Sequence, residues 1–187
     1  KSAQALSANG GPVVQASLHV RKAWVDDLSK NIVHDVPKEL LDLRHEDGSP
    51  VFARVQLNLG NPEDVNPEDL AALFDAHADH RFILPLNDRT EALCEALLKS
   101  KARFDVIFDK SGGRGIKPDQ WPEVISDRFC VYAGGLEPEN IQQELDKISA
   151  VASGPIGVDA ETGLKTFDTF DALKAEAYIK AAISYER

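Results

Sequence analysis

The stretch Phe104-Asp-Val-Ile-Phe-Asp-Lys-Ser-Gly-Gly-Arg-Gly115 decides the fold. An apolar run closes on Asp109 and passes into a glycine-rich loop. A buried parallel strand reads this way when its carboxyl end opens onto a site. Tyr132-Ala-Gly-Gly-Leu-Glu-Pro-Glu-Asn140 and Val158-Asp-Ala-Glu-Thr-Gly-Leu164 repeat the form downstream. Three such ends in succession point to a (β/α) barrel with its chemistry on the C-terminal rim.

Outward from there, strands are expected at Pro12–Val20, Val51–Leu59, Arg81–Leu86, Arg128–Ala133 and Ile156–Asp159, with Phe104–Asp109 among them. Helical patterns fall between them. Ala23–Ser29 is a short one, and residues 30–50 read as charged and irregular, with a turn at Asp47-Gly48. Asn66-Pro67-Glu68-Asp69 is a helix start, with an Asn cap, a proline at the first position and acids at the positive end of the dipole. Leu70, Leu73 and Phe74 would line that helix's inner face. Asp88 or Thr90 caps the next helix, and Leu93, Leu97 and Leu98 form its core face; Asn87 and Asp88 also offer substrate contacts or an internal network, with helix capping favoured for Asp88. Pro138–Val151 carries Ile141, Leu145 and Ile148 at helical spacing, and Phe170–Ile183 turns Leu173, Ala177 and Ile179–Ala182 inward. Strand and helix alternate from start to finish, which requires parallel strands with helical crossovers. One α/β domain over residues 1–187 is expected. Six units make either an open doubly wound sheet or part of an eightfold barrel, whose other two units would precede Lys1.

The net charge is −10, which disfavours a broad nucleic-acid or anionic-membrane surface but leaves room for a small anion held by main-chain N–H groups. No apolar run is long enough to span a bilayer and no secretory leader is read, so a cytoplasmic protein is expected. Cys94 and Cys130, in no Cys-x-x-Cys pair, read as buried free thiols in a reducing compartment.

The last three strands resemble phosphoribosylanthranilate isomerase of tryptophan biosynthesis. The matching residues are Asp109, then Gly112-Gly113-Arg114-Gly115, then Ala133-Gly134-Gly135-Leu136-Glu137-Pro138-Glu139-Asn140, then Asp159-Ala160-Glu161-Thr162-Gly163. Val55-Gln56-Leu57-Asn58 falls where that family has Val-Gln-Leu-His, so the likeness runs over roughly residues 51–183. It implies a (β/α)8 TIM barrel in which the strands seen here are the third to eighth. It implies an intramolecular oxidoreductase that performs an Amadori aldose–ketose isomerisation of a phosphorylated sugar, with no cofactor and no metal. Asp109 matches the family's general acid.

The residues carry their own arguments. Gly134 and Gly135 at a strand end, with a helix starting at Pro138, leave amides free of side-chain bulk, and Gly163 offers more from the neighbouring strand end. These glycines hold a phosphate or make tight turns. Asp109 is a proton donor at the barrel mouth or a carboxylate capping the Gly112-Gly113 loop. Arg114 clamps an anion or is a solvated loop residue, and Thr162 stands beside Gly163. Gln56 and Asn58 share a strand face and hold substrate hydroxyls or each other. Lys110 is expected as an outer salt-bridge partner. His19, His34, His45 and the pair His77-x-x-His80 read as structural or solvated rather than metal-binding.

The chain departs from the family pattern at Asn58 for histidine, Arg114 for threonine and Glu161 for a small residue that a phosphate would favour. The family's general base is a cysteine on the first strand, in a pattern this chain does not contain. A divergent isomerase is therefore expected. A non-catalytic barrel that keeps the phosphate cup, or an enzyme of another phosphosugar, is the alternative.

Overall fold

The computed structural model describes residues 16–21 and 35–185. The helix expected at Ala23–Ser29 lies outside the described residues, as does the start of the first strand. Six strands stand in one sheet in sequence order: β1 (Ala16–Arg21), β2 (Phe52–Asn58), β3 (Arg81–Leu86), β4 (Asp105–Phe108), β5 (Cys130–Ala133) and β6 (Ile156–Asp159). β1 runs parallel to β2, and β3 through β6 run parallel in succession. The fold is mixed α/β with sequential parallel strands, as in part of a TIM-like fold. No helix among the described residues is long and apolar enough to cross a membrane.

Two compact units divide at Phe82 and Ile83. In the first, α1 (Asp35–Asp42) occupies part of the stretch expected to be irregular, and buries Leu41. The Asp47-Gly48 turn forms as expected, with the Gly48 N–H donating to the His45 carbonyl at 2.9 Å. The local signal at Asn66 is obeyed. Its side chain accepts from the Glu68 N–H at 2.8 Å, Pro67 opens α2 (Pro67–Ala76), and Leu70, Leu73 and Phe74 are buried. The Phe74 ring stacks on Phe82 at 4.8 Å between centroids. Beside them His80 is buried between two carbonyls, its Nδ1 2.8 Å from Phe52 O and its Nε2 3.0 Å from Leu41 O. The structural role expected for this histidine is what the geometry shows.

In the second unit, β4 and β5 are buried at every position, which is the mark of parallel strands covered on both faces. Each large apolar side chain buried there contributes about 1.5–3 kcal/mol. α3 (Glu91–Lys99) buries Leu93, Cys94 and Leu97. Its first turn corrects the capping role expected of Asp88. Thr90 is the residue at the cap position, and it donates its hydroxyl to the Pro85 carbonyl at 2.6 Å while Asp88 is exposed. Both cysteines are free and buried. Burial pushes the Cys94 thiol up to about 11 and also raises Cys130.

Two expectations fail in instructive ways. Strand and helix do not alternate throughout, because residues 109–129 connect β4 to β5 without a helix. Gly112, Gly113, Gly115, Pro118 and Pro122 make a continuous helix there unfavourable. After α4 (Ile141–Val151), β6 and a two-stranded hairpin of β7 (Lys165–Thr166) and β8 (Thr169–Phe170), the final helix α5 (Ala172–Ile183) turns Tyr178 inward. Leu173 is 77% exposed and Ile179 53%. Polar contacts with α4 set this orientation: Tyr185 donates to Asp146 at 2.9 Å and Gln142 to Ser184 at 3.3 Å.

Candidate functional site

The loops after β4, β5 and β6 come together in the second unit. Strand register aligns their starts, with Phe108 opposite Tyr132 and Ala133 opposite Asp159. Glycine then permits the close approach. A methyl group added at Gly115 would stand 2.8 Å from the Thr162 side chain. One at Gly163 would run into the Leu136 carbonyl oxygen. The structure thus brings Gly112, Gly113, Arg114, Gly134, Gly135, Thr162 and Gly163 onto three neighbouring loops.

Asp109 sits directly after β4, half-buried. Its Oδ2 accepts from the Gly113 N–H at 2.6 Å and its Oδ1 from the Ser111 hydroxyl at 2.9 Å. The carboxylate therefore caps the glycine loop, one of the two roles open to it. The Asn87 amide also reaches this point, donating to the Asp109 carbonyl at 3.4 Å. Arg114 is exposed, and its Nε donates to the Ser111 carbonyl at 2.8 Å. Ser111 is buried and organises the turn through both its hydroxyl and its carbonyl. Sequence reasoning passed over it, although a serine two residues after an aspartate is a common turn signal.

The Gly134-Gly135 turn is already occupied by main chain. Gly134 has φ +111° and Gly135 φ +63°, both costly for a residue with a side chain. A methyl group on Gly134 would lie 2.7 Å from the Ile116 carbonyl oxygen, and one on Gly135 2.9 Å from the Lys117 nitrogen. The chain from Ile116 to Pro118 fills the space these glycines leave.

That chain is anchored from α4 by Glu144, which is 1% exposed. Its Oε2 accepts from Trp121 Nε1 at 2.9 Å, and its Oε1 accepts from Lys147 at 2.8 Å and Lys117 at 3.1 Å. Burial works against its charge, but bonds from Lys147, Trp121 and Lys117 outweigh it and hold the carboxyl below the ordinary glutamate range. Glu144 was legible in principle. It stands three residues after Ile141 and four before Ile148, on the apolar face of its helix.

Asn58 belongs to the first unit, where its Oδ1 accepts from the Gln56 amide at 3.0 Å, so these two side chains bond to each other. Glu161 pairs with Lys165 at 2.8 Å on the surface. Lys110 is exposed and forms no ion pair among the described residues, which corrects the salt bridge expected for it.

No protein-family model and no curated protein sequence matches this chain. Solved structures do show a likeness. Monomers generated from the dimeric phosphoribosylanthranilate isomerase of Thermotoga maritima are 22% identical over 79% of this chain and 67% of theirs, with a TM-score of 0.46. A second structure of the Thermotoga maritima enzyme is 21% identical over 85% of this chain and 80% of its own, with a TM-score of 0.43. A phosphoribosylanthranilate isomerase in complex with reduced 1-(o-carboxyphenylamino)-1-deoxyribulose 5-phosphate is 20% identical over 85% and 79%, with a TM-score of 0.44.

Proposed function

We propose that this chain is a divergent relative of phosphoribosylanthranilate isomerase, one (β/α)8 barrel domain that binds a phosphorylated sugar at the loops after β4, β5 and β6. The supporting observation is that the glycine motifs, in the family's order, stand on three converging loops at the carboxyl ends of adjacent parallel strands. Such ends are where α/β folds place ligands. Gly134, Gly135, Thr162 and Gly163 form the phosphate cradle, and Arg114 with the Gly112-Gly113 turn borders it.

Asp109 acts as the general acid. In its acid form the proton sits on Oδ1, because the Gly113 N–H facing Oδ2 can only donate. The Ser111 hydroxyl can rotate to accept from Oδ1. The proton passes to the ring oxygen of an aminoaldose as the C1–O bond opens, leaving an iminium. Loss of the C2 proton to a base then gives an enolamine, which becomes the ketose as C1 takes up a proton and the C2 hydroxyl gives one up. The resemblance puts that base on a strand outside those seen here.

A second reading is a barrel that binds phosphometabolites without turning them over. It is favoured by the engagement of both Asp109 oxygens and of the Arg114 Nε within their own loop. Asp109→Asn assayed on phosphoribosylanthranilate separates the two. Catalysis requires kcat to fall by about 100-fold or more. Undiminished turnover removes Asp109 from the mechanism. Binding of ribose 5-phosphate by a wild-type protein that does not turn over selects the second reading.

A further inference from the structure

The cradle in this structure is filled, and its occupant is held by a side chain that the proposed chemistry does not use. We propose that Ile116–Pro118 is an internal plug on the Gly134-Gly135 turn, latched by Glu144, and that an incoming phosphate group displaces it. This rests on the anion reading given under the proposed function.

Three observations carry it. The first is steric: the Ile116 carbonyl oxygen and the Lys117 nitrogen lie 2.7 and 2.9 Å from where a methyl group on Gly134 or Gly135 would stand, so a phosphate entering on that face of the turn must displace them. The second is the latch. A plug built only of glycine-rich loop would have no defined seat, since residues 109–129 contain no helix or strand. Next to the plug its fixed points include two side chains on one buried carboxylate, Lys117 at 3.1 Å and Trp121 at 2.9 Å, with the Tyr132 hydroxyl holding the Pro122 carbonyl further along at 2.9 Å. The third is room to move. A cavity of about 540 Å³, lined by Pro118, Asp119, Gln120, Lys147 and Val151, borders the anchored segment.

The latch is also built to open. The Lys117 and Lys147 side chains are 46% and 49% exposed, so water can replace Glu144 at each of them. Lys117 is released into solvent as the segment lifts, and a phosphate arriving beside it gains a mobile cation. The plug therefore lowers apparent anion affinity by the fraction of time it is seated.

Hydrogen–deuterium exchange of peptides covering 113–121, combined with titration of inorganic phosphate, tests this on the full chain. Glu144→Gln should speed exchange in that segment by about 10-fold or more without changing β4 or β5. Phosphate should produce the same acceleration in the wild type, and the variant should bind phosphate about 3–10-fold more tightly. Trp121→Phe, which keeps an aromatic ring but loses the N–H donor, should do likewise and carries the test if Glu144→Gln does not fold. Phosphate that slows exchange in 113–121, with weaker binding by the variants, would make the segment part of the binding surface and overturn the plug. Unchanged exchange in both variants overturns the latch alone. Faster exchange with no phosphate bound by any of the proteins overturns the anion reading, and displacement with it.

Discussion

His80 and Glu144 are both buried, both ionisable, and both join segments that lie far apart in the chain, yet their partners differ in kind. His80 faces two main-chain carbonyls, at the end of α1 and the start of β2. Both ring nitrogens lie within hydrogen-bond distance of main-chain oxygens. Neither carbonyl can leave without the backbone moving. Glu144 faces two half-exposed lysines and one indole N–H. The lysines can exchange their partner for water, and only the indole is left wanting. A buried ionisable group thus makes a fixed clasp or a releasable one according to whether its partners can be resolvated.

The sharpest way to break this contrast is His80→Leu. It removes the buried partner of the Leu41 and Phe52 carbonyls, of which Leu41 keeps the Arg44 guanidinium, and should cost about 2–4 kcal/mol in urea denaturation. A loss under about 1 kcal/mol would mean that water reaches both carbonyls. Glu144→Leu should cost less, about 1–3 kcal/mol, because only the Trp121 N–H is stranded while both lysines turn to solvent. A Glu144→Leu loss as large as that of His80→Leu would erase the distinction.

Acid should sharpen it. The Glu144 carboxyl lies below its ordinary 4.5 in the folded protein, so its stabilisation is complete above that value and is lost as pH falls through the lower folded one. Burial, with the neighbouring His80, lowers His77 from 6.5, so the unfolded chain takes up that proton first and stability declines as pH drops below 6.5. A stability–pH curve should therefore step down twice, and Glu144→Gln should shrink only the lower step, to which the lowered Asp47, Asp171 and Glu176 also contribute. The smallest expected effect is that of Lys147→Ala, about 0.5 kcal/mol or less by thermal denaturation, as befits a half-exposed ion pair.

What the sequence disclosed depended on how local the cause was. The α2 start was legible because Asn66 and Pro67 act within one turn. The strand ends were legible because an apolar run stopping at Asp109, Gly134 or Asp159 marks a buried strand meeting an opening. The face of α5 was not, because alanines dominate the helix, and the buried Tyr178 and the bonds of Tyr185 to Asp146 and Ser149 on α4 mark which side turns in. Of the candidate site, Asp109 and the glycines could be picked out. What fills the Gly134-Gly135 turn could not, because glycine makes room for a ligand and for neighbouring backbone by the same lack of a side chain. Ser111, Trp121 and Glu144 escaped notice because partners fixed only by the fold give them their roles.

The helix-free connection between β4 and β5 bears on how the molecule is made. Its anchor comes later in sequence, 27 residues after Lys117 and 23 after Trp121. On a ribosome the segment emerges before the carboxylate that will fasten it, and it has no regular structure of its own to adopt in the meantime. It must stay unsettled until α4 has emerged and docked, so slowing the ribosome while Arg114 is outside the exit tunnel and Glu144 is still within it would prolong the interval in which a protease can cut at Arg114.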